Sequence, residues 1–374
     1  MCCESCSTHA QLHDRRRTQK IQSGLCQTKM RFNLPRNTTL YNLGKTNTYR
    51  AASSALFKNP RAGFKGFGTN LQNIEKSLRG LYWADDGYVF NQRDQAGAEA
   101  LIVAKLAPKG QFDELFKWGI KPHVFVALNN FLSVWSIKCA DLDIDKFTRT
   151  PIKDLPSTAG WDILSRMIAD SDEWAAHERY YFIAKQMCHS GNYGIGVNEF
   201  ILNTLSKSRG TVALSKEQGA EYLCNYRSMF PEIIEWHDMV RRQIKETRML
   251  FNLFGHPWIY TAEIEEDRMK DCLAFVPQST VGVITHIAVT KMQSFIEKHR
   301  RDWHILNNNH DSYLTASPEK EWEECQHKMK EFINMDLVAP SGEHFQMKSE
   351  GQTGRNWAPY KPKKNEEGLK KVNI

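Results

Sequence analysis

Asp94-Gln95-Ala96-Gly97-Ala98-Glu99 and His310-Asp311-Ser312 stand in the first and last thirds of this chain, and Lys185-Gln-Met-Cys-His189-Ser-Gly-Asn-Tyr193-Gly194 lies between them. Aspartates so far apart meet only if the intervening chain folds back on itself. Once together, two carboxylates can hold a pair of divalent cations, and a lysine on a helix can grip a triphosphate. That combination points to nucleotidyl transfer. Each motif alone turns up by chance in many proteins, so the argument rests on all three in this order.

The bulk properties set the frame. A chain of 374 residues with 41% apolar and 25% charged residues can bury a substantial core in one large or two modest domains. The best apolar runs are interrupted by Asn129-Asn130 and His286, short of the ~20 residues that span a bilayer, so no membrane segment is expected. Arg15-Arg16-Arg17 is followed by no apolar core, which argues against a secretory signal. Nine scattered cysteines, an odd number, suit a reducing compartment such as the cytoplasm better than a disulfide framework. Cys3, Cys6, His9 and His13 offer four zinc ligands, but only two residues separate Cys6 from His9, too few for a finger loop. The net charge of +7 is concentrated in the first 65 residues and in a tail holding Lys361, Lys363, Lys364, Lys370 and Lys371. Such patches suit a polyanion, and a solvated surface with a loose tail would carry the same charge.

Residues 1–30 read as a basic lead-in and 31–75 as loop. Tyr88 to Arg93 reads as a strand leading into Asp94, followed by a helix from Gly97 to Ala107 with Leu101, Ile102 and Leu106 facing inward. Both Asp94 and Glu99 then fall at one edge of a sheet. Helices are predicted over 160–193, 216–229 and 231–248, with Pro231 in a favourable first-turn position. Another is predicted over 279–299, with Val283, Ile287, Val289 and Phe295 buried. Trp303–Leu306 and Tyr313–Thr315 read as two strands whose polar turn presents Asp311 at its tip.

On this reading Asp94 and Asp311 carry the metals; taken singly, Asp94 could equally cap a helix and Asp311 occupy a turn. Lys185, His189 and Tyr193 share one helix face over ~12 Å, matching a nucleoside triphosphate in length and in its order of phosphate, sugar and base. A polar helix face with one aromatic packing contact would show the same spacing.

Further motifs make the pattern specific. In order along the chain, the sequence resembles the polymerase portion of family A DNA polymerases, the bacterial polymerase I type and its phage relatives. Asp94-x4-Glu99 is similar to that family's first palm motif, Lys185-x7-Tyr193-Gly194 to its fingers helix and His310-Asp311 to its last palm motif. Thr48-Tyr49-Arg50-Ala-Ala-Ser53-Ser54 with Thr69-Asn70-Leu71-Gln72-Asn73-Ile74 resembles the primer–template segment. Phe254-Gly255 resembles the start of the Gly-Arg-Arg segment, and Pro277-Gln278-Ser279-Thr280 the helix with a minor-groove glutamine. The resemblance covers about residues 31 to 358.

The resemblance implies an α/β (α+β) right-hand fold: palm over 31–150 and 251–358 with an antiparallel sheet, mainly helical fingers over 151–250, a truncated thumb, and a basic tail over 359–374. It implies replicative DNA synthesis from dNTPs on a primer–template, with two Mg2+ ions for which Mn2+ can substitute. Asp94, Gln95 and Asp311 would hold the metals. Glu99, His123, Arg179, Lys185, His189 and Tyr193 would bind the dNTP, with Glu99 under the sugar to exclude a 2′-hydroxyl. Arg50, Asn70, Gln72, Asn73, Lys270, Gln278 and His310 would bind DNA, where Arg50 and Gln278 meet nearly sequence-independent minor-groove acceptors. The chain departs from the family in several places. Ser312 replaces a glutamate and His189 an aromatic residue. Tyr181 stands where an arginine meets phosphate, with Arg179 as the substitute. His256-Pro257 replaces a double arginine, and Lys270 replaces an arginine. With only about 90 residues before the first motif, a 3′–5′ exonuclease and most of a thumb are expected to be absent or supplied by a partner protein, as in a split phage polymerase working in its host's cytoplasm. A non-catalytic DNA-binding or assembly subunit on the same scaffold, and an RNA-synthesising enzyme, are the alternatives.

Overall fold

The computed structural model describes residues 39–42, 46, 48–54, 70–131, 173–261, 263 and 265–374; the Cys3, Cys6, His9 and His13 cluster lies outside them. The described chain divides into two compact units. One is helical, from Glu99–Phe251 and Pro257–Pro277; the other holds the main sheet, from residues up to Ala98, Asn252–His256 and Gln278–Ile374.

The helical unit contains α1 (Ala98–Leu106), α2 (Gln111–Lys117), α3 (Pro122–Phe131), α4 (Glu173–Asn192), α5 (Val197–Lys207), α6 (Lys216–Met229) and α7 (Pro231–Thr247). Local chemistry sets several ends. Ser215 Oγ accepts from the Gln218 N–H at 3.1 Å while the Ser215 N–H donates to Gln218 Oε1 at 3.0 Å, a capping box that starts α6. Pro231 starts α7 because its missing N–H would have had no partner there. The core gathers Phe112, Leu115, Phe200, Phe230 and Ile233, all fully buried, with the Phe112 and Phe230 rings edge-on at 5.0 Å. Lys105 and Asp113 form an ion pair at 2.7 Å within it. In α1 the buried apolar positions are Ala98, Ile102, Val103 and Ala104, whereas Leu101 and Leu106 are half-buried.

The long helix α8 (Glu266–His299) contributes to both units and starts 13 residues before the predicted 279, running through Pro277. Proline costs a helix one backbone hydrogen bond, but burial on both sides outweighs that here: Leu273, Phe275, Val281 and Ile284 are all within 1% of fully buried. Its buried seam beyond the proline is Val281, Ile284, Ala288 and Met292; of the expected set only Val283 is buried. Arg268–His299 is long and apolar enough to cross a bilayer, which the sequence reading did not anticipate; 72% of its apolar window is buried inside the protein, as in the core helix of a folded domain.

In the other unit, β3 (Tyr88–Gln95), β6 (His304–Asn308), β7 (Ser312–Pro318), β10 (Ser349–Gly354), β11 (Asn356–Pro359) and β12 (Gly368–Val372) form a sheet in the order β11-β12-β10-β3-β7-β6, antiparallel except between β11 and β12. Short strand pairs form elsewhere: β1 (Leu40–Asn42) with β2 (Ala52–Ser54), β4 (Met249–Phe251) with β5 (Pro257–Ile259), and β8 (Met335–Val338) with β9 (His344–Met347). Two expectations are corrected. The 31–75 region is not all loop, because β1 and β2 pair within it. The basic tail is not loose: β12 lies inside the sheet with Leu369 buried, Lys371 paired to Glu350 at 2.8 Å and Lys370 over the Tyr360 ring.

Strand alternation sends β3 side chains to opposite faces. Phe90 joins Leu71, Ile74, Leu314, Ala316 and Trp357 in a core on one side. On the other, Arg93 donates from Nε to Gln326 in α9 (Trp322–Ile333) at 3.1 Å. Asn91, fully buried, donates to Ser317 and accepts from Thr353, both at 2.9 Å, tying β7, β3 and β10 through polar groups that are all satisfied.

Candidate active site

The β6–β7 hairpin brings Asp311 back to β3. Asp94 sits near the end of β3, opposite Ser312 on β7 and Glu350 on β10, and the Gln95 N–H donates to the Asp311 carbonyl at 2.9 Å. His310 holds φ +69, and its carbonyl accepts from Thr285 of α8 at 2.8 Å, which fixes the turn. Loss of solvent and the Asp311 and Glu350 carboxylates push Asp94 up to about 7, against the pull of Lys76 and Arg79. Asp94 as a whole stays exposed, so water tempers both effects. Burial draws the Arg79 guanidinium down, while Asp94 and Asp311 oppose that shift. Arg79 packs 4.8 Å from the Trp357 ring, and Trp357 donates to Gln92, which shares a β3 face with Asp94, at 3.0 Å. Sequence reasoning missed Glu350, Lys76 and Arg79, whose proximity depends on strand register and tertiary packing.

Among the described residues no cluster of three or more histidine, cysteine or acidic side chains forms a metal cage. Two hard carboxylates with like charge do fit Mg2+, which keeps water and substrate phosphates as its other ligands. The Gln95 amide nitrogen donates to Val281 O at 3.1 Å and Thr285 Oγ1 at 2.7 Å, which turns its side chain toward α8, on the face of β3 opposite Asp94.

The primer–template candidates in this unit divide by partner. Gln72 accepts from the Ser53 N–H at 2.7 Å and donates to Ala51 O and Asn308 O at 2.8 Å, and Asn70 caps the Leu71–Asn73 turn. The Gln72 amide and the Asn70 side-chain oxygen are thereby committed to shaping the segment, whereas Asn73 is exposed. Arg50 packs on Gly282 of α8, where an added Cβ would meet its Cγ at 3.2 Å. Gln278 is half-buried on α8. Tyr49, at φ +54, packs at a tilt against His256, ring centres 5.2 Å apart, and both line a cleft of about 400 Å3 along α8 that none of the candidate catalytic residues lines.

The helical unit holds the nucleotide candidates. Arg179 and Lys185 are exposed on α4, His189 is half-buried, and Tyr193 lies one residue past the helix end, 4% exposed. The Tyr193 hydroxyl donates to Glu99, and its ring meets His189 edge-on at 5.3 Å. His123 packs edge-on against Tyr181 at 4.8 Å; burial, with Lys185 and Lys121, pulls it down to about 4, so the ring is neutral at physiological pH. Lys207 at the end of α5 was also missed: burial and Lys185 lower it while Glu99 raises it, which puts a second cation beside Lys185. Lys270 pairs with Glu199 at 2.8 Å.

Comparison with known proteins agrees with this fold. The model for DNA polymerase family A matches residues 163–359, more than half the chain, and the chain belongs to that family. DNA polymerase I of Aquifex aeolicus (strain VF5) is 20% identical over 259 residues, 69% of this chain and 37% of that protein. The polymerase domain of Pol1 from M. smegmatis, solved with DNA primer–template and dNTP, superposes with a TM-score of 0.63 at 18% identity over 92% of this chain and 52% of that one. The chain thus spans little more than a third of the curated relative and about half of the solved one.

Proposed function

We propose that this chain adds deoxynucleotides to a primer 3′-hydroxyl on a DNA template, in replication. The observation that carries the proposal is the register of β3 with the β6–β7 hairpin, which sets two carboxylates from distant motifs into mutual repulsion. Asp94 and Asp311 would hold Mg2+, with Mn2+ as substitute; when bound, the ions lower the pKa of the primer hydroxyl and neutralise the departing pyrophosphate. Lys185, with Lys207, offers positive charge to the triphosphate. His123, neutral, hydrogen-bonds without adding charge. Glu99, held by Tyr193, occupies the place where a ribose 2′-hydroxyl would need room. Arg50 and Gln278 offer donors to minor-groove acceptors, and Asn73 is exposed to do so. Asn70 and Gln72 act indirectly, by holding that segment in shape. A partner protein that prolongs contact with DNA is part of the proposal.

Primer extension by the purified chain, supplied with dNTPs or NTPs and with or without candidate partners, tests this reading. Template-dependent addition of dNMP supports it. Preferential use of NTPs would make the chain an RNA-synthesising enzyme, and DNA binding without extension would make it a non-catalytic subunit.

A further inference from the structure

The hydrogen bond from Tyr193 to Glu99 depends on where the chain leaves α4, and that exit is held from two sides by Tyr226 and His237. Asn192, 4% exposed, accepts from the Tyr226 hydroxyl of α6 at its side-chain oxygen. Its main-chain carbonyl accepts from His237 Nε2 of α7 at 2.8 Å. A carbonyl cannot donate, so the proton is on Nε2. The far side of the imidazole ring abuts Gly194, whose φ of +65 turns the chain out of the helix and where an added Cβ would come within 3.5 Å of the ring. One turn earlier, a Cβ on Gly191 would meet the Tyr226 ring at 2.1 Å, so the ring packs directly on the α4 backbone where only glycine leaves room. Tyr226 is fully buried and His237 3% exposed. Both residues flanking Tyr193 are therefore fixed while Tyr193 itself reaches Glu99.

We propose that Tyr226 and His237 are positioning residues for sugar selection, holding residues 192–194 so that the Tyr193 hydroxyl stays on Glu99 and the space for a 2′-hydroxyl stays closed. This rests on the reading of Glu99 as the gate. A purely structural pair would affect both sugars equally. A positioning pair changes the ratio, because a Glu99 released from Tyr193 can swing aside for ribose.

The test is the ratio of kcat/KM for a dNTP over the matching NTP, measured for wild type, Tyr226→Phe, His237→Leu, His237→Gln and Glu99→Ala, and for Tyr226→Phe combined with Glu99→Ala, with thermal melting confirming that each variant is folded. Tyr226→Phe and His237→Leu should lower the ratio about three- to tenfold, the yield of one hydrogen bond of ordinary strength. His237→Gln, which can still donate to the Asn192 carbonyl, should keep most of the wild-type ratio. In the Glu99→Ala background Tyr226→Phe should lower it no further. If Glu99→Ala relaxes selection but Tyr226→Phe and His237→Leu reduce use of both sugars equally, the positioning role is overturned and the gate survives. If Glu99→Ala leaves the ratio at wild type, the gate reading fails and the positioning role with it.

Discussion

Asp94→Asn should stabilise the metal-free protein while abolishing incorporation. The carboxyl is pushed from 3.8 to about 7 by loss of solvent and by Asp311 and Glu350. A raised carboxyl pKa means that the fold opposes ionisation. The resulting penalty is absent below pH 3.8, grows as pH rises toward 7 and is complete above it. Taken whole, that shift corresponds to ~4 kcal/mol at 1.36 kcal/mol per pH unit. Asp94 is solvent-exposed, so screening reduces the expected gain to ~1 kcal/mol. That is a rise in Tm of roughly 2–4 °C for a unit of this size. The assay is thermal unfolding in EDTA at about pH 8 and again near pH 4, repeated in millimolar Mg2+. The variant should melt higher at the upper pH only, and Mg2+ should narrow the gap by stabilising wild type. A variant that melts at or below wild type in EDTA at about pH 8 would refute the repulsion argument.

Lys185→Ala should raise the dNTP concentration needed for half-maximal incorporation by about ten- to 150-fold, the worth of one charge-assisted phosphate contact; pre-steady-state titration reads it, and an unchanged dependence would remove Lys185 from the nucleotide site. Gly191→Ala would gain up to ~1 kcal/mol of helix propensity in open surroundings, but its Cβ would strike the buried Tyr226 ring at 2.1 Å. A net loss of ~1–3 kcal/mol in denaturant unfolding is therefore expected, and a stabilised variant would contradict the packing. Burial pulls His237 from 6.5 down to about 4, so the unfolded chain binds the proton first and stability is lost as pH falls through that window. Up to ~3 kcal/mol is involved, and His237→Gln should flatten this part of the stability-against-pH curve; equal slopes for the two proteins would show that the ring is not buried in its neutral form.

The carboxylate framework was legible because strand alternation and a polar turn are local signals. Tyr88 to Asp94 and the hairpin bearing Asp311 begin within a residue of their predicted places and end up to three residues beyond them. Helices with capping signals, such as α6 after Ser215 and α7 after Phe230, were also placed closely. What was not legible depends on contacts between distant segments. Gly368-Leu-Lys-Lys-Val372 looks like a solvated tail until β10 and β11 flank it, because the lysines mask a strand whose one buried apolar anchor is Leu369. The predicted helix began only at 279, and burial of Leu273 and Phe275 shows why it starts earlier and runs through Pro277. Glu350 faces Asp94 through register alone. Gln72 carries a DNA-binding motif's letters, yet its amide joins β2 to the Asn308 carbonyl, a role that one sequence cannot reveal.

Single-turnover addition of one dNMP to a primer–template by wild type, Asp94→Asn and Asp311→Asn, with DNA affinity measured alongside, tests the central claim most directly. Wild type should extend the primer in Mg2+. Each variant should bind the DNA nearly as tightly and extend no more than a few per cent as much. Extension by either variant at a rate near wild type would show that these two carboxylates do not carry the chemistry.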